Sequence, residues 1–173
     1  MSLPTSLRTQ ADRLLWPLLA LASALVALSS IALTAWLDLS PCHLCIFQRL
    51  LFMLMAVLAV AAMPRNGLGR LAGGLFAVIA AAGIATAGYQ SWLQLQPPDT
   101  VSCIGGEMGP IERLVEWLGM QSPALFMATG FCDDNGLVIL GLSLANWALI
   151  VFTGLLIAAV WMLALRTQSN RPA

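Results

Sequence analysis

The chain has 173 residues, 60% of them hydrophobic and only 9% charged, with no lysine, no net charge and a mean hydropathy of +0.86. A soluble domain carries roughly 25% charged residues, so this composition excludes a water-soluble globular protein, and nucleic acid is not an expected partner. What remains is an integral membrane protein.

Crossing the hydrocarbon core takes about 20 predominantly apolar residues, and four stretches meet that requirement. The first, 14–37, is uncharged and 24 residues long. A signal-peptide core runs to about 7–15 residues, so this stretch is expected to be a retained span. Trp16 and Trp36 near its two ends suit the two membrane interfaces. The second span, 44–63, is interrupted only by Gln48 and Arg49. Ser40 and Pro41 just before it read as a helix N-cap and first helical residue. In the third span, 71–95, the small residues Gly73, Ala77, Ala81 and Ala85 recur every four positions, a strip where another helix can approach closely.

A long segment, 96–141, separates the third span from the fourth, 142–165. Within it, Pro110 is followed by Ile111, Leu114, Val115 and Leu118 at helical spacing, with Glu112, Arg113 and Glu116 on the other face. This pattern predicts a short amphipathic helix on the membrane surface. The apolar patch from Pro123 to Met127 is expected to rest on the same surface or on a partner protein. Pro97-Pro98, Gly105-Gly106 and Asp133-Asp134-Asn135-Gly136 are turn chemistry. The expected fold class is therefore all-α, a single integral membrane four-helix bundle over 1–173, with one long outer segment containing an interfacial helix.

Arginine sets the expected orientation, because short cytoplasmic loops retain positive charge. Arg8 and Arg13, Arg65 and Arg70, and Arg166 and Arg171 all fall on one side, which is expected to be cytoplasmic together with both termini. The other side holds Asp38, Asp99, Glu107, Glu112, Glu116, Asp133 and Asp134, and all four cysteines. In a bacterial inner membrane that side is the periplasm, where disulfides persist.

Cys42 and Cys45 form a CxxC pair at the start of the second span, and Cys103 and Cys132 lie in the long segment. Local pairing within each set is one of three possible connectivities. Free N–H groups and the positive end of a helix dipole favour thiolate at the CxxC, and a low thiol pKa makes such a pair reactive. Arg49, four residues beyond Cys45 on the same face and about 6 Å deeper, is placed to stabilise a Cys45 thiolate and the anionic form of an electron acceptor. In a membrane that acceptor would be a lipid-soluble quinone. The competing reading of Arg49 is that it snorkels to the headgroups, and that of Cys103 and Cys132 is a static staple. His43, between the reactive cysteines, reads as a spacer. Zinc is not expected, since Cys103 and Cys132 are not a short-spaced pair, and Ile46 after Cys45 excludes a CxxCH haem motif.

These motifs resemble the disulfide-bond formation protein B family, DsbB. The resemblance rests on PCxLC with arginine four residues on, on the second cysteine pair in the long segment, and on the stretch from Ser122 to Phe152. Vitamin K epoxide reductase relatives place their loop cysteines before the CxxC, the reverse order. Membership would imply that a Cys103–Cys132 disulfide accepts electrons from a soluble thioredoxin-fold oxidase, DsbA, with Cys103 forming the mixed disulfide. Cys42 would meet Cys132 in the exchange, and Cys45 would pass electrons to ubiquinone, or menaquinone without oxygen, with Arg49 assisting. Several family members carry a histidine where this chain has Gln90, in Gln90-Ser91-Trp92-Leu93-Gln94-Leu95. A structural membrane subunit with two static disulfides is the alternative function.

Overall fold

Four helices long and apolar enough to cross a membrane dominate the computed structural model, which describes residues 5–96, 109–132 and 137–169. They are α1 (Thr5–Trp36), α2 (His43–Ala61), α3 (Gly67–Leu93) and α6 (Leu144–Ser169). Between α3 and α6 lie α4 (Pro110–Gln121), the single turn α5 (Pro123–Phe126), and a small antiparallel hairpin of β1 (Val138–Ile139) and β2 (Leu142–Ser143). The all-α membrane bundle expected from the four apolar stretches is the fold observed. Cys103 and the turn sequences 97–98, 105–106 and 133–136 lie outside the described residues.

Helix packing follows the small residues of α3. Its buried positions are Gly69, Ala72, Gly73, Phe76, Ala80, Gly83, Ala87, Gln90 and Leu93. The expected strip of Gly73, Ala77, Ala81 and Ala85 is only partly right, because Ala81 and Ala85 are exposed. Strict fourfold spacing advances about 40° per step on a helix of 3.6 residues per turn, so such a strip winds away from its partner. Alternating steps of three and four stay on the contact face. Gly83 sits directly beneath the Phe152 ring of α6, and Phe152 stacks on Phe52 of α2 with centroids 4.0 Å apart. One glycine thus brings α2, α3 and α6 together.

The arginine-bearing end is closed by Arg166. Its Nη2 donates to the Ala62 carbonyl at 2.9 Å, and its guanidinium lies 5.2 Å from the centre of the Trp16 ring. Trp16, expected at a lipid interface, is fully buried instead and meets Phe76 edge-on at 5.9 Å. A cation held over an indole face attracts it strongly once both are desolvated, which draws Trp16 inward. Trp36 at the other end of α1 is 86% exposed.

At the opposite end α4 begins as its sequence indicates. Gly109 is the N-cap, Pro110 the first helical residue, and the Glu112 carboxylate accepts the Gly109 N–H at 2.7 Å. Val115 is completely buried against the bundle and Ile111 packs on the cysteine cluster, whereas Leu114, Trp117 and Met120 remain exposed. Gly83→Ala should lower stability by about 1–3 kcal/mol, since the added methyl overlaps the Phe152 ring. Gly88→Ala, which meets open space, should stay within about 0.5 kcal/mol of the parent. Thermal unfolding of both variants in detergent checks the contrast.

Candidate functional site

A helix leaves its first N–H groups without intrahelical partners, and at α2 a cysteine supplies one. Ser40 and Pro41 are not the N-cap and first helical residue expected from the sequence. Cys42 is the cap: its backbone is extended, its Sγ accepts the Cys45 N–H at 3.4 Å, and its carbonyl accepts the Ile46 N–H at 3.1 Å. The helix therefore starts two residues later than expected, because sulfur does here what a serine oxygen commonly does. With Cys45 N–H directed to sulfur, the Pro41 carbonyl is left outside the helix.

The CxxC sulfurs are both thiols, with Cys42 donating to Cys45 across 3.0 Å. Cys132 packs against Cys42 in a cluster completed by Leu44 and Leu93. Its sulfur is close enough to Cys42 and to the Leu44 N–H, another group of the first helical turn, to interact with both. The Cys42 thiol is pushed up, first by its hydrogen bond to Cys132, then by that to Cys45 and by burial. Cys132 is pushed down, chiefly by its interaction with Cys42, against the cost of its own burial. Cys42 thus stands between Cys45 and Cys132.

Two glutamines complete the wall around these sulfurs. Gln90 Nε2 donates to Cys45 Sγ at 3.0 Å and to Cys42 Sγ at 3.4 Å. Its Oε1 accepts from Gln48 Nε2 at 2.9 Å, which determines the face of the amide turned to sulfur. Both side chains are buried. Neither glutamine is among the site residues expected from the sequence, where Gln48 is an interruption of its span and Gln90 stands at a position that carries histidine in several family members. The available signal was their cost: an amide in an apolar span requires partners, and two such amides on neighbouring helices can satisfy each other.

Arg49 is only 4% exposed, so it does not snorkel to the headgroups. It is close enough to Cys45 for their charges to interact. Its hydrogen bonds, however, run to other elements. Nε donates to Ser30 Oγ at 3.1 Å, Nη2 to Thr34 Oγ1 at 2.7 Å and to the Ser30 carbonyl at 3.3 Å, and Nη1 to the Leu125 carbonyl at 2.8 Å. The guanidinium thereby ties α1 and α5 to α2. It also lines a cavity of about 180 Å³ with Thr34, Asp38, Pro41, Leu125 and Thr129. His43 is half-buried.

Hydrogen bonds to a charged group contribute about 1.5–3 kcal/mol, and about 1.4 kcal/mol corresponds to 30 mV for a two-electron couple. Gln90→Leu removes the donor that stabilises negative charge on Cys45 in the reduced pair. The Cys42–Cys45 couple should become more reducing by roughly 30–60 mV, measured by equilibration with glutathione in a variant lacking the other two cysteines.

A family model described as "Disulfide bond formation protein DsbB" matches residues 12–162. Among curated relatives, Disulfide bond formation protein B of Dechloromonas aromatica is 40% identical over 129 residues, covering 75% of this chain and 78% of the relative. The protein of that name from Azoarcus is 38% identical, covering 72% of this chain and 76% of the relative. That from Albidiferax ferrireducens is 35% identical, covering 86% and 88%. A match of this extent, spanning the four membrane helices and the cysteine-bearing end, shows that the chain belongs to the DsbB family of disulfide bond formation proteins.

Proposed function

We propose that this disulfide-forming oxidoreductase of the inner membrane reoxidises a periplasmic DsbA-like thioredoxin-fold dithiol and passes the electrons to a membrane quinone. The observation that carries the reading is the Cys42 sulfur hydrogen-bonded to Cys45 at 3.0 Å and packed in one cluster with Cys132, a sulfur of the other pair. A static staple needs no such contact between pairs. In the proposed cycle a partner thiolate attacks Cys103 of a Cys103–Cys132 disulfide, forming a mixed disulfide and releasing Cys132 as thiolate. Cys132 then attacks Cys42 of the Cys42–Cys45 disulfide, so that a Cys42–Cys132 bond forms and the electron pair departs on Cys45. The second partner thiolate resolves the mixed disulfide and leaves the partner oxidised. Cys103, released as thiolate, then attacks Cys132 of the Cys42–Cys132 bond, restoring the Cys103–Cys132 disulfide and expelling Cys42 as thiolate, so that Cys42 and Cys45 are left reduced and hold the electron pair destined for the quinone.

Arg49 and the cavity it lines would hold a quinone head group. The guanidinium of Arg49 carries five N–H donors, and four hydrogen bonds to described residues leave one on Nη1. A cavity of about 180 Å³ adjoins it. That is below the roughly 300 Å³ of a site enclosing a whole drug-sized ligand, so it suits a ring whose tail remains in lipid. Ubiquinone, or menaquinone without oxygen, supplies a two-electron, two-proton acceptor when bound. Arg49 offers positive charge where an acceptor oxygen gains negative charge, and Gln90 holds Cys45 as the donor sulfur. The apolar side chains Leu114, Trp117 and Met120 of α4 suit contact with the outer membrane surface, the arginine-bearing end then being cytoplasmic.

Purified protein given a reduced thioredoxin-fold dithiol and a soluble quinone should consume one quinone per dithiol, followed by quinone absorbance. No consumption with all four cysteines intact would remove this function. Arg49→Ala should lower turnover by about a hundredfold while lowering expression much less, and equal turnover and quinone affinity would exclude its role. Cys103→Ser should abolish oxidation of the soluble dithiol yet leave Cys42 and Cys45, reduced with a small dithiol, able to react with quinone.

A further inference from the structure

The exchange between Cys132 and Cys42 requires that a segment far along the chain arrive at the start of α2 within bonding reach. A specific pair of hydrogen bonds brings it there. The Pro41 carbonyl accepts the Thr129 N–H at 2.9 Å and the Gly130 N–H at 3.1 Å. That carbonyl is available because the Cys45 N–H goes to Cys42 Sγ. Gly130 also lies so close to the Ser40 backbone that a Cβ at this position would overlap the Ser40 carbonyl oxygen and carbon. The obstacle is main chain, which no side-chain rotation relieves. Two residues further on, Cys132 reaches Cys42 and the Leu44 N–H.

We propose that Ser40 and Pro41 form a backbone seat for the segment from Thr129 to Cys132, and that Gly130 is the positioning residue that lets Cys132 reach Cys42. The proposal deepens the function proposed above and rests on it. The Pro41 carbonyl sets the register of the segment, and the missing Cβ of Gly130 sets its depth. With the segment seated, the Cys132 thiolate attacks Cys42, the Cys42–Cys45 bond breaks, and Cys45 leaves with the electron pair. One disulfide replaces another, with no net oxidation in this step. A side chain at residue 130 lifts the segment from its seat and separates the reacting sulfurs. Displacing reacting atoms by about 1 Å can cost about a hundredfold in rate.

The test compares Gly130 with Gly130→Ala in two cysteine backgrounds of the full chain in detergent. In Cys45→Ser with Cys103→Ser, only Cys42 and Cys132 remain, and equilibration with reduced and oxidised glutathione reads how readily they bridge. In Cys103→Ser with Cys132→Ser, the same titration reads the Cys42–Cys45 couple and reports whether the start of α2 is intact. Gly130→Ala should lower the equilibrium constant for the Cys42–Cys132 bridge at least about tenfold and leave the Cys42–Cys45 couple unchanged. An unchanged bridge overturns the proposal, and so does an equal loss in both backgrounds, which would mark Gly130 as generally structural. With all four cysteines present, turnover of the soluble dithiol by the Gly130 protein but not by Gly130→Ala supports the seat, and equal turnover by both overturns it. If the Gly130 protein itself oxidises no dithiol, the proposed function falls, and with it the exchange that the seat was proposed to serve.

Discussion

The Cys42 sulfur is the point on which the outer end of this protein depends. It caps α2, and in doing so it takes the Cys45 N–H that a conventional start at Pro41 would direct to the Pro41 carbonyl. The same sulfur then meets Cys45 on one side and Cys132 on the other. Helix initiation and sulfur chemistry therefore share one atom. Of the first-turn N–H groups of α2, that of Cys45 goes to Cys42, and that of Leu44 faces Cys132. A helix N-terminus favours negative charge through these groups and its dipole.

Beneath this cap the bundle holds three polar side chains that would be costly in lipid without partners. Gln48 and Gln90 satisfy each other and the CxxC sulfurs, while Arg49 is satisfied by α1 and α5. Each bond also has a geometric consequence. The glutamine pair fixes α3 against the start of α2, and Arg49 draws the Leu125 carbonyl down, so the chain leaving α5 runs past the Pro41 carbonyl toward Cys132. Far from the site, Arg166 on Trp16 and the glycine contact beneath Phe152 hold the four long helices together.

Much of this was legible in sequence, for identifiable reasons. Span number and approximate limits follow from the length of apolar runs, which lipid enforces without regard to detail. The start of α4 followed from Pro110 and the periodic apolar residues after it. The proximity of Cys42 and Cys45 in one turn followed from their spacing, whereas the approach of Cys132 was expected only through family resemblance. Features set by three-dimensional satisfaction were not legible. Trp16 turned inward because a cation from a helix 150 residues later lies over it; no local pattern near Trp16 records that. The cap moved from Ser40 to Cys42 because sulfur competes for an N–H, and the contact strip of α3 departed from fourfold spacing because helices are not fourfold. Gln90 was undervalued because its partners lie on another helix.

In the proposed function Cys42 connects the two cysteine pairs by exchanging one disulfide for another. Mapping the disulfides by mass spectrometry, first in the resting protein and then after one equivalent of reduced soluble thioredoxin-fold dithiol without quinone, tests it most directly. The expected result is a Cys42–Cys45 bond at rest that gives way to a Cys42–Cys132 bond while Cys103 is joined to the partner. Persistence of the Cys42–Cys45 bond throughout partner oxidation would contradict it.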